Sequence, residues 1–177
     1  MCATTVSGAR DLVIYFIDVE GGQSSLIVTP DHHSLLIDAG WAAQGSGYAP
    51  GDPLFNLVCP RNLVGTVDAY LIAHHGGPDV MVPETFTALK PRVAIMNNGL
   101  RKGGSLKTYT ALHSLPGLED IWQLHRSESA GDQNFSADHT ANLDESTAYW
   151  IKLTGYFDGR FQIQNARTGQ IRDYSAR

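Results

Sequence analysis

His74 and His75 stand at the end of an apolar run, Val67-Asp68-Ala69-Tyr70-Leu71-Ile72-Ala73, and Gly76-Gly77-Pro78 follows at once. Imidazole suits proton transfer near neutral pH and metal ligation. A buried strand that stops at glycines delivers its last side chains to a sheet edge, where α/β folds commonly assemble sites. Neighbours in a strand point to opposite faces, so at most one of the two can easily face a given site unless the strand has already ended. A solvated surface turn is the competing reading of the pair taken alone. Arg101-Lys102-Gly103-Gly104 is a basic glycine loop. Its side chains and amides suit an anionic substrate group, and a solvated turn is the plainer alternative.

These residues need elements to position them. Leu12 to Val19, Ser24 to Thr29 and Ser34 to Asp38 are β-rich runs separated by Glu20-Gly21-Gly22-Gln23 and Pro30-Asp31-His32-His33, a three-stranded meander. His32 and His33 fall at a hairpin tip and read as exposed. Glycines and prolines make Trp41 to Pro53 a loop, and Pro60 interrupts the apolar stretch Leu54 to Val64. Val67 to Ala73 is the central strand. Pro83 to Leu89 reads as a short helix, Pro91 to Met96 as a buried strand, and Ser105 as the cap of a helix reaching about Leu115. Asp120 to His125 reads as a strand and Arg126 to Asn142 as a long polar loop. Tyr149 to Thr154 and Arg160 to Gln164 form a hairpin about Asp158-Gly159, and Ile171 to Tyr174 adds a last short strand. His113, His125 and His139 fall in a helix, at a strand end and in the polar loop, where structural or solvated roles suffice. The whole is one mixed α/β (α+β) domain over 1–177, with a meander at 11–40, a linker or crossing segment at 41–66 and an α/β half at 67–177.

Composition narrows the function classes. With 42% hydrophobic and 18% charged residues, the 177-residue chain can build a core and is not of disordered type. A net charge of −5 argues against a general nucleic-acid binder. Cys2 and Cys59 offer neither a disulfide framework nor zinc-finger spacing. No apolar run approaches the ~18 residues of a membrane span. No basic stretch leads into an apolar run and a cleavage site, so the chain as written reads as cytoplasmic; a leader removed beforehand would leave no trace.

Phe16-Ile17-Asp18-Val19-Glu20-Gly21-Gly22-Gln23 followed by Leu35-Leu36-Ile37-Asp38-Ala39-Gly40 resembles the opening of the metallo-β-lactamase superfamily, in particular the ComEC-like hydrolase group. Ala73-His74-His75-Gly76 resembles that group's late His-His-Gly motif, and Lys90 to Gly99 the strand and loop after it. The resemblance implies a truncated αββα sandwich and a metal-dependent hydrolase. It departs from the family where the metals are bound. The family's His-x-His-x-Asp-His motif is missing, and residues 41–65 contain no histidine. The carried-over ligands are Asp38 and His74 or His75, with Asp79 available if the loop folds back. A catalytic zinc usually takes three protein ligands. This set therefore suits at most one zinc or other divalent ion, and not a dinuclear pair.

Two functions follow as expectations. One is a reduced hydrolase that activates water against an ester, lactone, amide or phosphoester, with His75 and Asp38 catalytic. The alternative is a catalytically degenerate relative that serves as a binding or assembly module. A nuclease-like role fits the acidic charge poorly. Partners are expected to be a small-molecule substrate and a second copy of the chain, since Leu12, Ile14, Phe16, Leu26, Val28, Leu36 and Trp41 offer more apolar surface than a short meander can hide.

Overall fold

The computed structural model describes residues 25–30, 34–37, 58–78 and 86–175, together with the backbone of 13–16 and 83–85. Asp38, Asp79, His32, His33, Leu12 and Trp41 lie outside the described residues, as do the side chains of Ile14 and Phe16.

Seven strands form one mixed sheet in chain order. They are β1 (Val13–Phe16), β2 (Ser25–Val28), β3 (Ser34–Ile37), β4 (Ala69–Leu71), β5 (Val93–Met96), β6 (Asp120–His125) and β7 (Thr140–Asn142). The first three are antiparallel, and β3 to β7 run parallel. A second sheet is built from β8 (Ile151–Gly155), β9 (Phe161–Asn165) and β10 (Ile171–Tyr174), all antiparallel. Two helices, α1 (Pro83–Leu89) and α2 (Leu106–His113), fall between β4 and β6 in the chain.

Register decides which side chains share a face. Leu36 pairs with Tyr70, Tyr70 with Ala94, and Ala94 with Ile121, and all four are buried. Phe86 and Leu89 of α1 and Tyr109 and Leu112 of α2, each pair three residues apart on its helix, close over that face. Tyr70 and Phe86 meet edge to face at 5.4 Å. The opposite face presents Val93, Ile95 and Trp122, which pack on Phe161, Ile163 and Tyr174 of the small sheet. The layers are therefore helices, large sheet, small sheet. Arg92 ties them at one end: its guanidinium, nearly buried, bonds Glu119 at 2.6 Å and Ser175 O at 2.5 Å.

Several sequence expectations shift here. The central strand is shorter than Val67 to Ala73: it spans Ala69–Leu71, and the chain turns tightly from Ala73. The segment 126–142 is not all loop: Thr140–Asn142 pairs parallel with β6 as the outermost strand. Leu26 and Leu36 lie in the core under the helices, with Val28 half-buried beside them, so these three do not supply the exposed surface expected of the meander. No helix among the described residues is long and apolar enough to cross a membrane.

Ser105 caps α2 as its type suggests, its Oγ accepting from Thr108 N at 3.2 Å. Ser105→Ala should therefore cost about 1 kcal/mol of stability. A shift in the urea midpoint measures it, and an unchanged midpoint would show that the cap adds nothing.

Candidate functional site

The parallel strands β3 to β7 all leave the sheet at one edge, and four chain segments meet there. After Leu71 the chain stays extended through Ile72 and then turns tightly over Ala73–Gly76. His74 (φ 46°, ψ 42°), His75 (φ 58°, ψ 18°) and Gly76 (φ 74°) all adopt left-handed backbone. Gly77 N donates to His74 O at 3.0 Å, which closes a type I′-like turn with His75 and Gly76 at its centre. Left-handed backbone costs a non-glycine residue about 1–2 kcal/mol. Two consecutive histidines in it persist only where the surroundings enforce the shape, a condition concentrated at functional sites.

Those surroundings can be named. Gly104 N donates to His75 O at 2.8 Å and Ser105 N to Gly76 O at 2.9 Å. The Thr108 hydroxyl lies 2.8 Å from Gly76 O and 3.1 Å from Gly77 O. Ser127 and Ser129 hydroxyls donate to Gly104 O at 2.7 and 2.8 Å, which fixes the glycine loop in turn. Asn98, buried, donates to His125 O at 2.7 Å and accepts from His125 N at 3.3 Å, so the ends of β5 and β6 stay together.

His75 has a defined role for one ring nitrogen. Its Nδ1 lies 2.7 Å from Asn97 O, and a carbonyl can only accept, so Nδ1 carries the proton. In the neutral ring Nε2 then holds the lone pair. The two histidine rings are not sent to opposite faces, since the strand has ended before them; their centroids lie 6.1 Å apart and both are half-buried. A further imidazole stands at the same edge. His125 closes β6, and its Nδ1 is buried with no hydrogen-bond partner among the described residues. The sequence placed His125 at a strand end; that β6 ends beside β5 at this edge depends on tertiary pairing.

The basic loop is placed beside the histidines but is occupied. Arg101 bonds Glu128 at 3.1 Å and Glu145 at 3.5 Å, and the Glu128 hydrogen bond keeps its guanidinium still more firmly protonated. The Gly104 amide is given to His75 O. Lys102 is exposed, and its carbonyl accepts from Gly99 N at 2.9 Å. Gly103 lies so close to His75 that a Cβ built on it would stand 2.0 Å from His75 O. The glycines thus serve first to let this loop brace the histidine turn.

His113 and His139 lie elsewhere. His113 Nε2 meets Gln133 O at 2.9 Å, and His139 stacks on Trp122 at 4.2 Å beside Asp120. Among the described residues no three histidine, cysteine or carboxylate side chains come together as a metal-holding group. Comparisons with protein-family models, curated proteins and solved structures find no match for this chain.

Proposed function

We propose that the chain is a hydrolase of reduced metallo-β-lactamase type, which activates water at His75 to cleave an ester, lactone, amide or phosphoester. The observation that carries this reading is the Nδ1 contact of His75 with Asn97 O, which leaves Nε2 as the basic nitrogen at the strand edge. Helices over one sheet and a second sheet against its other face accord with a pared-down αββα sandwich. In this reading Nε2 takes the proton from the attacking water, and the Nδ1–H bond to Asn97 O stabilises the imidazolium that forms. The proton then passes to the leaving group. Asp38, which follows the last residue of β3, is the second catalytic group carried over from the resemblance.

Alternatively Nε2 would ligate a metal in place of acting as the base, because ligating histidines usually donate their other ring N–H to a carbonyl or carboxylate. His74, His75, Asp38 and Asp79 are the residues that would hold one zinc or similar ion. Such an ion supplies a bound water of lowered pKa and polarises the bond to be cleaved.

His75→Gln should lower kcat by about a hundredfold or more, the scale of a lost general base. The assay is turnover of a panel of esters, lactones, amides and phosphoesters by protein purified without chelators, with elemental analysis alongside. Metal at or below one equivalent is expected, and removing it should slow turnover. Two equivalents per chain would reject the reduced site. Turnover unchanged in His75→Gln would remove His75 from the chemistry.

A second reading is favoured by the occupied loop. Arg101 is held by glutamates and the Gly104 amide by His75 O, so neither stands ready for an anionic substrate. In that case the chain is a binding or assembly module that keeps the scaffold without turnover. Full activity of Arg101→Ala together with loss of activity in His75→Gln would favour hydrolysis. No turnover on any substrate, with no metal, would favour the module.

A further inference from the structure

The small sheet carries an exposed feature unrelated to the histidine edge. Strands β8 and β9 are joined by a tight turn in which Tyr156 N donates to Arg160 O at 2.9 Å and Gly159 N to Tyr156 O at 3.0 Å. Phe157 stands at its tip, 90% exposed. The tip is held in shape: Arg160 bonds Asp158 at 2.7 Å, and its guanidinium lies 5.4 Å from the Tyr156 ring centre. A phenyl ring so exposed on a rigid turn is costly in water. It is a preorganised anchor if a partner receives it.

A receiving groove lies beside it. Ile27, Leu35, Ala69, Leu153 and Phe161 line an apolar hollow of about 180 Å³ between the large sheet and the hairpin, with Tyr156 and Arg160 among its other walls. The volume fits one aromatic ring, since an apolar cavity of roughly 150 Å³ accepts benzene. Phe157 of the same chain does not fill it, since that ring stands in solvent. Groove and tip share Tyr156 and Arg160, so they form one continuous patch. A patch that contains both a plug and its socket is what a two-fold interface requires. Asp158 and Arg160 already pair within the chain, and both stay half-exposed, so in a two-fold contact their open sides can add bonds to the partner's Arg160 and the partner's Asp158 without breaking that pair.

We propose that two copies of this chain pair about a two-fold axis, the Phe157 ring of each entering the groove of its partner. The proposal does not rest on the hydrolase reading, since the groove lies by Ser34 and Asp68, where β3 and β4 begin, away from the end at which His75 stands. Two exchanged aromatic rings bury about 150–250 Å² each, less than a standard interface, so the dimer is weak and dissociates on dilution.

Sedimentation velocity of the full chain, from low micromolar to several hundred micromolar, should show a reversible monomer–dimer equilibrium. Phe157→Ser should weaken it about thirtyfold or more, as loss of a central aromatic anchor does, with the melting temperature unchanged. A fluorinated phenylalanine at 157 should shift its ¹⁹F resonance with the same concentration midpoint. A wild-type chain that stays monomeric throughout would overturn the proposal. So would a Phe157→Ser dimer of undiminished affinity, which would point to pairing through the outer edge of β8, or a ¹⁹F resonance indifferent to concentration.

Discussion

Gly103→Ala should destabilise the fold by about 4 kcal/mol and abolish whatever activity His75 supports. Gly103 sits at φ +70°, and a Cβ there would lie 2.0 Å from His75 O and 2.5 Å from His75 Cβ. The obstructing atom is a backbone carbonyl, not the end of a flexible side chain. It is held by the 2.8 Å bond from Gly104 N. Relief requires the loop to withdraw, which breaks that bond and loosens Ser105 N to Gly76 O and the Ser127 and Ser129 bonds to Gly104 O. Left-handed backbone adds about 1–2 kcal/mol for alanine, and each lost hydrogen bond about 1 kcal/mol. Gly117→Ala is the control, because its φ is +81° but nothing lies within 4 Å of the added Cβ. It should cost only the backbone strain, about 1–2 kcal/mol. Urea unfolding of the two variants compares them directly. Equal losses would mean that the loop can yield without disturbing the histidine turn.

That contrast also marks what the sequence could reveal. Gly103-Gly104 was legible as a turn, and its nearness to Arg101 and Lys102 suggested an anion cradle. What its glycines accommodate is the backbone of His75, some 28 positions earlier in the chain, which no local pattern encodes. The histidine turn behaves likewise. Gly76-Gly77 announced a break, yet the left-handed backbone of His74 and His75 is imposed by bonds from residues 104, 105 and 108. Where one face is buried and the period is plain, the reading held: Asp120–His125, the Ser105 cap and the β8–β9 hairpin all appear as expected. The strand Thr140–Asn142 escaped notice because three residues, two of them polar, carry no period. Its side chains are buried through hydrogen bonds instead, Asn142 to Leu124 O and Tyr149 O, and Thr140 to Ser136 O.

Trp122→Ala should cost about 3–5 kcal/mol, a large share of the stability usual for a domain of this size. The indole is fully buried and sits where the two sheets meet, against the cluster of Val93, Phe161, Ile163 and Tyr174. Its ring stacks on His139 at 4.2 Å, and Nε1 donates to the Tyr174 hydroxyl at 3.0 Å. Truncation removes the largest side chain of this second core and leaves a cavity that strands on both sides are too constrained to fill. The lost hydrogen bond adds about 1 kcal/mol at most, since Tyr174 still donates to Asp120 at 2.9 Å. Trp150→Ala is the matched control: that indole is 50% exposed and should cost less than about 1 kcal/mol. Because the small sheet docks through this cluster, amide exchange should quicken in β8, β9 and β10 before it does in β4 and β5. The helix-side core of Tyr70, Phe86 and Tyr109 lies on the far face and keeps its packing. Uniform acceleration across both sheets would show that the layers unfold as one unit. A loss below about 1.5 kcal/mol would show that the inter-sheet core does not depend on Trp122.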